Sequence, residues 1–409
     1  MNNPKTILAT AYAINPYKGS EDGMGWNFVC QIARFHKVIA ITRENNQPLI
    51  DKYMAENPDE VYANIRFVYF DTPYWMRFWK NGGRGAMLYY WMWQKEVVEF
   101  IENKHFEFDI AHNLNFHNDW TPSYLWRLNK PVVWGPIGHH PIIPSQYLSA
   151  YRWTNRLKEQ LSWNVKSYFW KYSMSLNNTV KTADHIFCMN NSVAQVLDLH
   201  ANDYSIMPSV ATEDFGCQKR DSHAKFTLIS VGRLVPLKGF DLTILAFARF
   251  MKTLNETDKS NCELVIIGSG PERDLYVQMA RENGVSAYVT FIDWIDRKDL
   301  LKWYEIASVF IFPSHEGAGM VVSEAMSFGL PVICLNNSGP GEFIDATCGF
   351  AIELQGYEKT VSNLTVAISA LHSNLSLRDK MSAAARLRYE TNFKWDKRGD
   401  ALKLIYAKL

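Results

Sequence analysis

Two basic residues, Arg233 and Lys238, stand in the segment Gly232-Arg233-Leu234-Val235-Pro236-Leu237-Lys238-Gly239. The segment follows the apolar run Thr227–Val231 and precedes a stretch of helical periodicity. Both cations should therefore project from a strand-end loop beside a helix start. Backbone N–H groups and the helix dipole favour anions there, and two fixed cations add to the preference, so a diphosphate is an apt occupant. The same pair also reads as solvated side chains on a turn, and spacing alone leaves both readings open.

A second group follows the apolar run Phe310-Ile311-Phe312-Pro313. It comprises Ser314-His315-Glu316-Gly317-Ala318-Gly319-Met320 and then Glu324 on the next helix. Gly317 and Gly319 remove side chains, which lets backbone N–H groups approach a ligand at the helix start. Glu324 could accept hydrogen bonds from a ribose diol and Glu316 from sugar hydroxyls; an isolated glutamate near a helix start can equally complement the dipole. A third segment, Asn337-Ser338-Gly339-Pro340-Gly341-Glu342, follows the strand Pro331–Leu335 and reads either as a turn or as part of the same edge.

These loops need a scaffold that presents several strand ends together. Residues Thr6–Ala13, Val38–Thr42, Arg66–Phe70, Asp109–His112, Val132–Trp134 and His185–Met189 read as strands, with a helix predicted over Trp26–Phe35. After a linker at 206–224 a second series begins: strands at Thr227–Val231, Glu263–Ile267, Val289–Ile292, Val309–Phe312 and Pro331–Leu335, a helix over Lys238–Met251, and a terminal helix over Lys397–Tyr406. Alternating strands and helices imply βαβ units around mostly parallel sheets, in which ligands bind beyond the carboxyl ends of the strands. The expected organisation is an N-terminal domain over 1–205, a linker over 206–224, a C-terminal domain over 225–392, and a terminal helix over 393–409 that packs back on the first domain.

A net charge of +1 sets up no global field for nucleic acid, so anion binding must be local and no nucleic-acid partner is expected. None of the six cysteines forms a C-x-x-C or zinc-like spacing, which fits a reducing cytoplasm. No run is long enough to cross a membrane, and the apolar Ile7–Ile14 reads as a buried strand rather than a signal peptide. The adjacent His139 and His140 are poorly disposed to ligate one ion, and no metal is expected. Gly19, Gly23 and Gly25 have the wrong spacing for a dinucleotide fingerprint.

The Gly-Arg-Leu-x3-Lys-Gly segment, Gly268-Ser269-Gly270-Pro271 after the next strand, and the pair Glu316 and Glu324 resemble family 4 retaining glycosyltransferases, among the glycosyl transferases group 1. The resemblance is specific over about residues 226–352. It extends more loosely to Asn15-Pro16-Tyr17-Lys18-Gly19-Ser20-Glu21 and Trp134-Gly135-Pro136-Ile137-Gly138. It implies an α/β, GT-B fold: two Rossmann-like βαβ domains facing a central cleft. It implies that the second domain holds a UDP- or GDP-sugar, with Arg233 and Lys238 on the diphosphate and Glu324 on the ribose. Glu316 would lie near the sugar hydroxyls, with backbone contacts from Gly317, Ala318 and Gly319. Gly19 and Gly23 would face the same ligand, and the base would lie against Trp294 and Ile295. His112, at the end of Asp109-Ile110-Ala111-His112, is a further catalytic candidate. Many relatives carry another histidine two positions later, where this chain has Leu114; His117 and the stretch Phe116–Asp119 are the nearest substitutes.

Sugar transfer of this kind expels a nucleoside diphosphate through an oxocarbenium-like transition state, and fixed cations stabilise the leaving phosphate. With no Asp-x-Asp at a strand end, the expected reaction is metal-independent, and the resemblance implies retention of configuration. No cofactor is expected, because the nucleotide-sugar is a co-substrate. The acceptor, a glycan or a lipid-linked sugar, is expected on the first domain and in cell-surface polysaccharide synthesis. Tyr74–Lys80, Arg84, Tyr89–Trp93 and Arg152–Lys171 mix aromatic and basic residues. They read as core aromatics with solvated neighbours, as stacking platforms for sugars, or as peripheral contact with the inner membrane face. A non-catalytic sugar-nucleotide-binding protein on the same scaffold is the competing reading.

Overall fold

The computed structural model describes residues 4–80, 82, 85–115, 118–216 and 225–409. Arg84, Phe116, His117, Cys217 and the last part of the expected linker, 217–224, lie outside the described residues.

Seven strands form the first sheet: β1 (Thr6–Ala11), β2 (Lys37–Thr42), β3 (Ile65–Tyr69), β4 (Ile110–Asn115), β5 (Val132–Ile137), β6 (His185–Cys188) and β7 (Tyr204–Ile206). They run in the order β3-β2-β1-β4-β5-β6-β7, with every pair parallel. Six more form the second sheet: β8 (Phe226–Val231), β9 (Cys262–Ile267), β10 (Val289–Ile292), β11 (Val309–Phe312), β12 (Val332–Leu335) and β13 (Gly349–Ile352). Their order is β10-β9-β8-β11-β12-β13, again all parallel. Helices connect the strands because parallel neighbours need long crossovers. The central strands are apolar runs buried on both faces, as sheets covered on two sides require.

Both sheets reverse their winding at one point, between β1 and β4 in the first and between β8 and β11 in the second. Successive crossovers leave such a point in opposite directions and open a crevice at the carboxyl ends of the two strands. The short strands β7 and β13 were missed in the sequence; β7 has three residues, and Gly349 opens β13 with little apolar signal.

The chain divides into two units. The first comprises Met1–His139, Trp163–Ser209 and Trp395–Leu409; the second comprises His140–Ser162 and Val210–Lys394. In the first unit the helix Trp395–Lys408 packs on the helix Ser20–Ala33, with Trp395 edge-on to Phe28 at 5.4 Å. A side chain at Gly399 would come within 2.5 Å of Gln31 Oε1, so the two helices meet closely there. In the second unit the helices Phe240–Met251 and Tyr357–Ser373 bury their apolar faces together against one side of the sheet.

The expected boundary at 205 needs correction over residues 140–162. Ile143, Tyr147, Leu148 and Tyr151 lie in the apolar core of the second unit with Phe240, Phe247 and Tyr276. Tyr151 Oη donates to Asp241 Oδ1 at 2.7 Å, and Tyr147 Oη hydrogen-bonds Thr360 Oγ1 at 2.9 Å. Aromatic side chains made this segment look like more of its surroundings, and only their distant partners reveal its place.

Candidate functional site

The loop leaving β8 is held by the loop leaving β9: Leu234 N–H donates to the Ser269 carbonyl at 2.9 Å, and Glu272 N–H donates to the Leu234 carbonyl at 3.1 Å. A Cβ at Gly270 would lie 2.4 Å from the Leu234 carbonyl oxygen, so the close approach depends on that glycine. The loop then passes against the one leaving β11. His315 N–H and Ser314 Oγ both donate to the Leu237 carbonyl, at 2.8 and 3.1 Å. Gly239 turns the chain into the helix Phe240–Met251 at φ +66°, where a Cβ would lie 2.0 Å from the Pro313 carbonyl oxygen.

This lacing brings Lys238 and Glu316 together across the switch point of the second sheet. Lys238 Nζ donates to both carboxylate oxygens of Glu316 at 2.7 Å. The side chains are 14% and 13% exposed, and Nζ stands 5.0 Å from the Phe312 ring centre. Two charges so far removed from water need each other, since an unpaired one would carry its full desolvation cost. Arg233, on the same loop, is exposed and makes no side-chain hydrogen bond or ion pair among the described residues.

Beyond Glu316, the Gly317 N–H donates to His140 Nδ1 at 3.0 Å. That bond requires an unprotonated Nδ1, and it engages an amide of the glycine-bounded loop. A Cβ at Gly339 would lie 2.3 Å from the Glu316 carbonyl oxygen, so the loop after β12 closes against this one. Asn337 ties them, its Nδ2 donating to the Ser314 carbonyl at 2.6 Å. Ala318 packs at the margin of the apolar core, and Gly319 starts the helix Met320–Ser327. His315 is buried edge-on to Tyr147 at 4.9 Å, and burial pushes its imidazole down to about 4, so it is neutral.

Glu324, on the helix Met320–Ser327, is 8% exposed. Its carboxyl is held above the usual carboxylate range by burial, with Arg297 and the Tyr304 hydroxyl opposing. Arg297 Nη2 donates to Glu324 Oε1 at 3.1 Å. Ile295, in the loop after β10, packs against the same apolar cluster, and Trp294 beside it is exposed. Arg297 is the residue missed in the sequence. A cation opening a helix opposes the dipole, and that misplaced sign was the available signal.

The candidates of the first unit have different surroundings. Gly19 precedes the helix Ser20–Ala33, and a Cβ at Gly23 would lie 2.1 Å from the Lys18 carbonyl oxygen, so this turn is tight. His112 is fully buried. Its Nε2 donates to the Gly135 carbonyl at 2.8 Å and its Nδ1 accepts from the Tyr406 hydroxyl. Burial pushes the ring down to about 3. Both nitrogens are engaged and no surface is open, so the expectation of a catalytic His112 is corrected to a role in holding the terminal helix. His139 and His140 part company: His139 Nδ1 pairs with Asp119 Oδ2 at 2.8 Å between Trp163 and Trp170, whereas His140 holds Gly317. No helix among the described residues is long and apolar enough to cross a membrane.

Residues 211–388 match the family model described as glycosyl transferases group 1. An uncharacterized glycosyltransferase of Haemophilus influenzae is 32% identical over 157 residues, which covers 38% of this chain and 42% of that protein. The GDP-mannose-dependent alpha-(1-6)-phosphatidylinositol monomannoside mannosyltransferase of Mycolicibacterium smegmatis is 28% identical over 184 residues, 43% of this chain and 46% of the relative. The chain thus spans less than half the length of these curated relatives. A glycosyltransferase from Rickettsia africae superposes with a TM-score of 0.65 at 17% identity, covering 100% of this chain and 99% of that one. Anabaena HepE in complex with UDP does so with a TM-score of 0.61 at 13% identity, covering 99% and 100%. The fold class is therefore α/β of the GT-B type, as the sequence led one to expect.

Proposed function

We propose that this chain is a glycosyltransferase that moves a sugar from a UDP- or GDP-sugar to a glycan or lipid-linked acceptor. The observation that carries the proposal is the meeting of Lys238 and Glu316 at the switch point, walled by glycine-dependent loops. It is supported by the group 1 match over the same residues and by relatives and fold neighbours that are glycosyltransferases, one of them solved with UDP.

In this reading Arg233 and Lys238 receive the diphosphate and oppose the charge that builds on it as the glycosidic bond breaks. Glu316, held by Lys238, and the backbone from Gly317 to Gly319 orient the sugar, while Glu324 receives the ribose and Ile295 borders the base. The chemistry uses no metal and no cofactor, proceeds with retention as in family 4, and belongs to cytoplasmic synthesis of cell-surface polysaccharide. Incubation with UDP- and GDP-sugars and candidate glycan acceptors should release nucleoside diphosphate with the matching acceptor present. Lys238→Ala should lower that rate about 100-fold or more, the range for a lost charge-stabilising group. Donor binding without release under any acceptor would favour the non-catalytic sugar-nucleotide-binding alternative, and unaltered turnover in Lys238→Ala would remove the site assignment.

Peripheral membrane contact belongs to the same proposal. Trp153, Leu157, Leu161, Val165, Tyr168 and Tyr172 recur every three or four residues along one helix and are 48–72% exposed. Arg156, Lys158, Lys166 and Lys171 share that helix, a composition suited to an anionic lipid surface.

A further inference from the structure

Arg297 is anchored from a side that has no part in ligand binding as described above. Besides Glu324, its Nη2 donates to Thr212 Oγ1 at 3.3 Å, and its guanidinium lies 5.1 Å over the Phe215 ring. Phe215 is stacked on Phe328 at 5.9 Å and 8°. Thr212 is itself fixed: its N–H donates to the Phe393 carbonyl at 3.0 Å, and its carbonyl accepts from the Tyr389 hydroxyl at 3.1 Å. The guanidinium is therefore set in place before any ligand arrives, although the side chain is 45% exposed.

We infer that Arg297 is a positioning residue that fixes Glu324 through Oε1 so that the carboxylate receives the vicinal hydroxyls of a nucleoside diphosphate's ribose. The inference rests on the nucleotide-sugar reading of this unit. A carboxylate offers about four acceptor positions, so one bond to Arg297 leaves capacity for a diol. A diol needs acceptors, which the ionised group supplies and the protonated group partly forfeits. Burial favours the protonated form, and Arg297 is the foremost influence against it.

The test measures binding of UDP, GDP and ADP to the full chain, and of the 2′,3′-dideoxy counterpart of whichever binds, between pH 5.5 and 8.5. The unaltered protein should prefer the ribonucleotide by about tenfold or more, the scale of hydrogen bonds to a charged acceptor. Arg297→Ala should shrink that preference to about threefold or less near neutrality, and raising the pH should restore it as Glu324 ionises. Arg297→Lys should keep most of it, and in turnover the loss should appear in donor KM more than in kcat. Arg297→Gln, which keeps a polar side chain without the charge, replaces the alanine variant should that one fail to fold. A folded variant with undiminished ribose preference at every pH would overturn the inference alone. Failure of the unaltered protein to bind any of the three nucleotides would overturn the reading of the site and the inference with it.

Discussion

Burial makes the ionised form of Glu324 the costlier one in the folded state. Its folded carboxyl binds a proton more tightly than an exposed one, so the folded state holds more protons than the unfolded state between the two values. Stability from this group is accordingly lost as pH rises through that window and recovered as pH falls below the ordinary carboxylate range. Glu324→Gln removes the charge and nearly keeps the shape, and Arg297, still held by Thr212 and Phe215, keeps its exposed side in water. We expect the variant's Tm at pH 7.5 to equal or exceed the parent's, the two curves to converge near pH 4, and nucleotide affinity to fall. A variant that melts well below the parent at neutral pH would show that the ion pair stabilises the fold. At this scale the loops that carry Lys238 and Glu316 were readable as strand ends because each follows an apolar run, while the run by itself left the side chains' roles open. Arg297 was not, because Thr212 and Glu324, which explain it, lie far away in sequence. His112 was expected at a strand end but lies inside β4, and its burial depends on Tyr406, 294 positions on.

Loops depend on single glycines where two chains cross. Gly239 is the clearest case, with a positive φ and the Pro313 carbonyl where a side chain would stand. Gly239→Ala should cost about 1–3 kcal/mol from the strained conformation, with more if the neighbouring loop cannot yield. Because that loop carries Glu316, the variant should lose donor binding beyond its loss of stability, as titration at a temperature where it remains folded would reveal. Binding at the parent's affinity would mean that the loops move independently. All strands but β7 and β13, and the spacing of the loop glycines, were legible in the sequence, since periodicity and turn chemistry are local. The contact of Gly239 with Pro313 and of Gly339 with the Glu316 carbonyl was not, because each needs the strand order, and β11 stands beside β8 only after two intervening strands have gone to the other side.

At the scale of the molecule, the aromatic residues sort into two uses that composition could not separate. Tyr89, Tyr90 and Trp93 are core, packed around Tyr12, whereas the face running from Trp153 to Tyr172 remains in water. If that face meets lipid, sedimentation with vesicles containing anionic phospholipid should carry the protein down, less so as salt rises. Leu157→Glu together with Val165→Glu should release it, without change in Tm because both positions are exposed. Equal recovery with neutral vesicles, or none with either, would dispose of the membrane assignment.

The bond between His112 and the Tyr406 hydroxyl has a consequence for biosynthesis. The two residues are 294 positions apart, and a ribosome adding about 5–20 residues per second needs roughly 15–60 s to make the later one after the earlier. Throughout that interval the histidine of β4 lacks its hydroxyl partner, and the groove along the helix Ser20–Ala33 lacks the helix that fills it. The first part of the nascent chain thus waits in an unfinished state while the second unit emerges and folds. Until Trp395 is made, the Phe28 ring on which it packs edge-on has no such neighbour.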